Sequence, residues 1–153
     1  MSNRFTWTSA GASVGCLALL LLIGCGGGSS NPAPTAPDQS SVAFSQTDVV
    51  VGTGPAATVG KALTVNYTGW LYSDTATDHK GAVFGTSVGS APFSFTLGSG
   101  QVIAGWDQGL VGMKVGGLRR LTIPPSLAYG SSGNGPVPPN AALVFDIQLL
   151  SAQ

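Results

Sequence analysis

The sequence predicts a mainly β domain with one short helix, carried behind an export segment and a tether. Three observations lead there. Twenty-three glycines and ten prolines accompany many Val, Thr, Phe and Leu residues, a composition that favours turns and strands over long helices. From residue 42 onward, apolar and polar side chains alternate with the period of two that marks half-buried strands. Only residues 103–111 place apolar side chains at helical spacing instead. A chain of 153 residues suffices for one domain with a sizeable core and is too short for two ordinary ones.

Residues 1–24 read as a signal peptide. Arg4 supplies a short basic start, residues 16–23 form an unbroken apolar run, and the small Gly24 precedes Cys25. An apolar core of that length spans a bilayer poorly, although 5–24 is uncharged and an uncleaved membrane helix is the alternative. The stretch Leu22-Ile23-Gly24-Cys25 resembles the lipobox of bacterial lipoproteins, in which the cysteine is lipidated and becomes the new N-terminus. Each buried methylene adds roughly 0.8 kcal/mol of membrane affinity, so acyl chains on Cys25 would anchor the protein without a spanning helix. The alternative for Cys25 is an ordinary small residue of the signal. Gly26, in place of Asp, resembles lipoproteins sent to the outer membrane, which implies a protein facing the periplasm. Cys16 would leave with the signal, and no other cysteine follows Cys25, so the domain holds no disulfide.

Residues 25–41 are the expected lipidated cysteine and tether. The run GGGSSNPAPTAPDQSS has one charge and no aliphatic side chain larger than Ala, too little to offset the entropy of ordering. Pro32, Pro34 and Pro37 favour extended geometry that would hold the domain some tens of Å from the lipid, at roughly 3 Å per residue.

The domain is expected over residues 42–153. Residues 49–51 begin the strand pattern. In ALTVNYTGWLY, residues 62–72, Leu63, Val65, Tyr67 and Gly69 share one face and Asn66, Thr68 and Trp70 the other. The polar run 73–83 reads as a surface loop. Phe93, Phe95 and Leu97 alternate with Ser94 and Thr96 in the next strand. LRRLTI, residues 118–123, places Arg119 and Arg120 on opposite sides. In the last strand, Leu143, Phe145, Ile147 and Leu149 point inward, with Val144, Asp146 and Gln148 on the opposite face. Within the helical stretch Ile103, Trp106 and Leu110 form the apolar stripe. Residues 129–140 contain three glycines and three prolines and cannot be regular structure; a loop of this kind between strands usually borders a site.

The residue types also exclude chemistry. Charged residues are 8% of the chain, the net charge is zero and there is no glutamate, so no field is available to attract nucleic acid. The only histidine, His79, falls in the polar loop, and a Ser-His-Asp triad would rest on that one side chain. A zinc site needs several Cys or His ligands that residues 26–153 do not supply. No GxxxxGK[ST] loop is present. No cofactor and no metal site are expected.

Three segments carry a family resemblance: VNYTGWL at 65–71, FSFTLGSGQVIAGWDQGLVGMKVGGLRRLTIPPSLAYG at 93–130 and PPNAALVFDIQLL at 138–150. Together they resemble the FKBP family of peptidyl-prolyl cis-trans isomerases, and the likeness covers nearly all of residues 45–151. It implies an α+β fold in which a curved antiparallel sheet, a half-barrel, wraps around one short helix. It also implies a shallow apolar cup for the prolyl segment, formed by Tyr67, Phe84, Phe93, Val102, Ile103, Trp106, Tyr129, Val137 and Phe145, with the Trp106 ring as floor. In family members the backbone N–H matching Ile103 and the hydroxyl matching Tyr129 hold substrate carbonyls, so Ile103, Trp106 and Tyr129 are the expected catalytic set. Phe95 and Leu121 read as ordinary core.

The implied activity is isomerisation of X-Pro bonds in exported proteins, with proline-containing polypeptides as substrates, macrolides as inhibitors, the membrane as partner through lipid, and a monomeric state. Gly85 stands where the family usually has aspartate after the pocket phenylalanine, which puts rate and macrolide affinity in question. A basic position of the family is matched by Ser90 or its neighbours across a one-residue deletion, and the loop 73–83 is longer than the family minimum. Two rivals stay open: a peptide-holding chaperone that turns over poorly, and a purely structural lipoprotein.

Overall fold

The structure is a computed structural model that describes residues 38–153. The expected signal peptide, Cys25 and the expected tether through residue 37 lie outside the described residues. Among those described, no helix is long and apolar enough to cross a membrane.

Six strands form one antiparallel sheet: β1 (Ser45–Val50), β2 (Ala62–Tyr72), β3 (Lys80–Thr86), β4 (Phe93–Thr96), β5 (Leu118–Ile123) and β6 (Leu143–Ala152). Their spatial order is β1-β5-β6-β2-β3, with β4 also paired to β2. The long β2 therefore serves two partners on one side, with Leu63 and Val65 opposite Phe95 and Phe93 of β4, and Thr68 opposite Thr86 of β3. On its other side it runs along β6 from Leu63 opposite Ala152 to Leu71 opposite Leu143, with a register shift after Thr64.

The inward face holds the core. Leu63 and Val65 of β2, Leu121 and Ile123 of β5 and Leu143, Ile147 and Leu149 of β6 are all fully buried, each contributing about 1.5–3 kcal/mol.

The helix α1 (Ala104–Gly109) lies on that face. A Cβ placed on Gly105 would stand 2.5 Å from an Ile123 methyl, and one on Gly109 would stand 2.7 Å from a Leu121 methyl. Two missing side chains thus let the helix backbone settle onto β5, and Trp106 and Leu110 sink into the core. Arg119 fastens the same corner. Its side chain is 8% exposed, and it donates to the Gly109 and Val111 carbonyls at the end of α1 and, through Nε and Nη2, to both carboxylate oxygens of Asp48 on β1.

The structure adjusts four expectations. Lys80–Thr86 is a strand, so the surface loop ends near His79, in a single 3-10 turn; the strand is a sheet edge and needs no alternating apolar pattern. The first strand begins at Ser45, before the valines. Val144, on the outer face, is nonetheless fully buried, between Trp70 and Thr122 of the flanking strands. Ordered packing also starts before residue 42: Gln39 donates from Nε2 to the Tyr72 carbonyl and from its backbone to Asn140, and it accepts at Oε1 from the Ala142 N–H.

Candidate functional site

A cavity of about 310 Å³ opens at one end of α1, within the size range of small-ligand pockets. It is lined by Tyr67, Phe84, Phe93, Gln101, Val102, Ile103, Trp106, Tyr129, Asn134 and Phe145. β2 contributes Tyr67, β3 Phe84, β4 Phe93 and β6 Phe145. The turn before α1 brings Gln101, Val102 and Ile103, and the loop after β5 brings Tyr129 and Asn134. The curvature of the sheet turns side chains from four strands onto one point above the helix.

Trp106 is that point. Its indole stands edge-to-face against Tyr67 and Phe145 at 5.2 Å between ring centroids in both cases, and against Phe93 at 6.2 Å. Phe95 supports it from the core side at 5.7 Å, and Phe84 meets Phe145 edge-on at 5.5 Å. Edge-to-face pairs of this kind each contribute about 0.5–1.5 kcal/mol beyond burial and fix the ring orientations. Trp106 and Phe145 are 4% and 3% exposed while Phe93 is 40% exposed, so the floor is rigid and the rim is open. Indole Nε1 is buried with no hydrogen-bond partner among the described residues.

The lining carries no Asp, His, Lys or Arg. Its polar groups are hydroxyls, two carboxamides and backbone. Ile103 occupies the N-cap position of α1 with an extended backbone, and its carbonyl accepts from Trp106 and Asp107. Its own N–H, like the hydroxyls of Tyr67 and Tyr129, has no partner among the described residues. One charged cluster lies away from the cavity, on the outer face. There Asp146 accepts from Arg120 and Lys80, and Lys80 also sits 4.2 Å over the Trp70 ring. Burial pushes the Asp146 carboxyl up, but the hydrogen bonds from Arg120 and Lys80 more than reverse this and hold it below its ordinary value.

Eight of the nine expected cup residues meet at this cavity, and Val137 is the exception. It is 3% exposed and packs in the core, because its reciprocal backbone bonds with Asn134, both 2.9 Å, turn it inward. Phe95 and Leu121 are core, at 5% and 0% exposure. Gln101 and Asn134 were missed: both are polar, exposed residues in turns, and no periodic pattern marks such positions. At Gly85 a Cβ would find only the Tyr67 ring, at 3.9 Å, so a larger side chain has room there.

A family model described as FKBP-type peptidyl-prolyl cis-trans isomerase matches residues 54–150. The FK506-binding protein of Neisseria meningitidis serogroup B is 47% identical over 105 residues, covering 67% of this chain and 90% of that protein. FK506-binding protein 4 of Dictyostelium discoideum is 50% identical over 105 residues, covering 68% of this chain and 27% of its own length. The chain likewise spans 21% of FK506-binding protein 4 of Neurospora crassa, so these longer relatives share one region with it. Among solved structures, AtFKBP13 superposes with a TM-score of 0.62 at 37% identity, over 72% of this chain and 93% of that one. FkpA from Escherichia coli gives 0.61 at 40% identity, over 75% of this chain and 50% of that one.

Proposed function

The chain belongs to the FKBP-type peptidyl-prolyl cis-trans isomerase family, and from that membership and the cavity we propose that it accelerates rotation about X-Pro bonds in exported polypeptides. The observation that carries the proposal is the cavity itself: an aromatic hollow floored by Trp106 and free of charged side chains.

The X-Pro bond turns slowly because amide resonance sets a barrier of about 18–20 kcal/mol. No bond is broken. In the twisted transition state the nitrogen lone pair is withdrawn from the carbonyl and charge separation falls. Water solvates the planar, more polar amide better than the twisted one, so a site that replaces water with rings favours rotation. A reduction of about 5 kcal/mol turns tens of seconds into milliseconds. In this reading the proline ring rests on Trp106 among Tyr67, Phe93 and Phe145. The Ile103 N–H and the Tyr129 hydroxyl, both unpaired among the described residues, hold the flanking carbonyls and orient the bond.

The same proposal takes Cys25 as a lipidated anchor, with the domain facing the periplasm from the outer membrane, acting as a monomer and binding macrolides at the cavity. Support for the anchor is the lipobox-like Leu22-Ile23-Gly24-Cys25. Gly85, which leaves space unfilled beside Tyr67, favours a second reading: a peptide-holding module with slow turnover.

Exchange NMR on a prolyl tetrapeptide with the full-length protein separates the two. The wild type is expected to bring interconversion below about one second, from tens of seconds unassisted. Tyr129→Phe and Trp106→Leu are expected to lower kcat/KM about three-fold and at least about ten-fold, that is by about 0.7 and 1.4 kcal/mol. Peptide binding by a folded wild type without acceleration would establish the holding module instead.

A further inference from the structure

Two carboxamide side chains at the cavity have no task in that mechanism. Gln101 and Asn134 both line it, both are exposed, and they arrive from different loops. Neither is a loose surface amide. Gln101 Oε1 accepts the Thr96 backbone N–H at 2.9 Å. Only an oxygen can accept that proton, so the carbonyl end is committed and the Nε2 protons are left for a ligand. Asn134 is fixed from behind, its N–H donating to the Val137 carbonyl and its carbonyl accepting the Val137 N–H. Its carboxamide has no partner among the described residues and hangs from a backbone held by those two bonds.

The rest of the lining is aromatic or aliphatic, with hydroxyls only on the two tyrosines. A proline ring seated there needs no hydrogen bond. The chain on either side of it does, because each peptide N–H and C=O that leaves water on approach costs free energy unless it is paired again. Carboxamides match both groups without adding charge, and so without choosing among flanking side chains.

We infer that Gln101 and Asn134 form a backbone-recognition subsite at the mouth of the cavity, which holds the neutral main chain flanking the proline of an extended substrate. The inference rests on the isomerase reading and gives it a substrate class: unfolded chain of any flanking sequence, in preference to short peptides.

The test measures kcat and KM by exchange NMR on the full-length protein with two substrates sharing one X-Pro core, a tetrapeptide and a decapeptide. Gln101→Ala, Gln101→Glu and Asn134→Ala are each expected to raise KM for the decapeptide about three- to ten-fold, the effect of one or two net hydrogen bonds. The value of kcat is expected to hold, and the tetrapeptide to change less than about two-fold. Gln101→Glu keeps an acceptor for Thr96, removes the donor and adds a negative charge. If it restores the KM that Gln101→Ala loses, Gln101 merely props the turn and the subsite is overturned. The subsite is also overturned if a variant carrying both Gln101→Ala and Asn134→Ala matches an active wild type, or if both substrates lose equally. A wild type that accelerates neither peptide overturns the isomerase reading and the subsite with it.

Discussion

Gly85 shows how one missing side chain bears on activity. It lies on β3 directly after the cavity residue Phe84, where the family resemblance leads one to expect aspartate, and the space a Cβ would enter is bounded only by Tyr67. Its φ is not among the positive values of the structure, so any residue fits the backbone there. Gly85→Asp is therefore expected to fold with a stability change within about 0.5 kcal/mol. It is also expected to tighten macrolide binding by supplying a charged acceptor at the rim, worth about 1.5–3 kcal/mol if it pairs. Isothermal titration of the wild type and variant checks both the sign and the size. It was the family resemblance, through motifs with fixed spacing, that put Trp106, Phe145, Tyr67 and Phe84 at one cup, and all four line the cavity. Val137 eluded that reasoning because adjacency to two prolines does not say which way a side chain turns. The Asn134–Val137 backbone pair decides it.

At the scale of elements, legibility followed periodicity. β2, β5 and β6 each bury one face, so their alternation is written in the chain, and the helical stripe of Trp106 and Leu110 located α1. β3 was hidden because an edge strand with Gly81 and Gly85 has no face to bury. The ion pairs link elements in a way no local pattern shows: Asp48 and Arg119 join β1 to β5 and α1, and Asp146 joins β6 to Arg120 and Lys80. Hydrogen bonds from Arg119 hold the Asp48 carboxyl below its ordinary value against its partial burial, and Asp146 is depressed as well. A carboxylate depressed by folding binds fewer protons in the native state than in the unfolded state. Its stabilisation is complete above the ordinary value near about 3.9 and is lost as pH falls through the folded value. The urea midpoint is thus expected to drop below about pH 4. Asp48→Asn and Asp146→Asn should lower it at neutral pH and flatten the acid limb, as denaturation curves at several pH values would show.

For the whole molecule, the proposed function rests on two sites with different physics, a proposed hydrophobic anchor at Cys25 and the aromatic hollow around Trp106. Cys25→Ser is expected to move the protein from the membrane fraction to the soluble fraction and to abolish incorporation of labelled palmitate, with isomerase activity per molecule unchanged. The central claim concerns the hollow: rotation is favoured by replacing water with rings and by fixed neutral donors, and no proton is transferred. Its most direct test is kcat/KM for a prolyl tetrapeptide from about pH 5 to about pH 9, in H₂O and D₂O. The account predicts a flat profile and a solvent isotope effect near about one, because the cavity lining contains no Asp, His, Lys or Arg. A sigmoid or bell-shaped profile, or a substantial isotope effect, would contradict it.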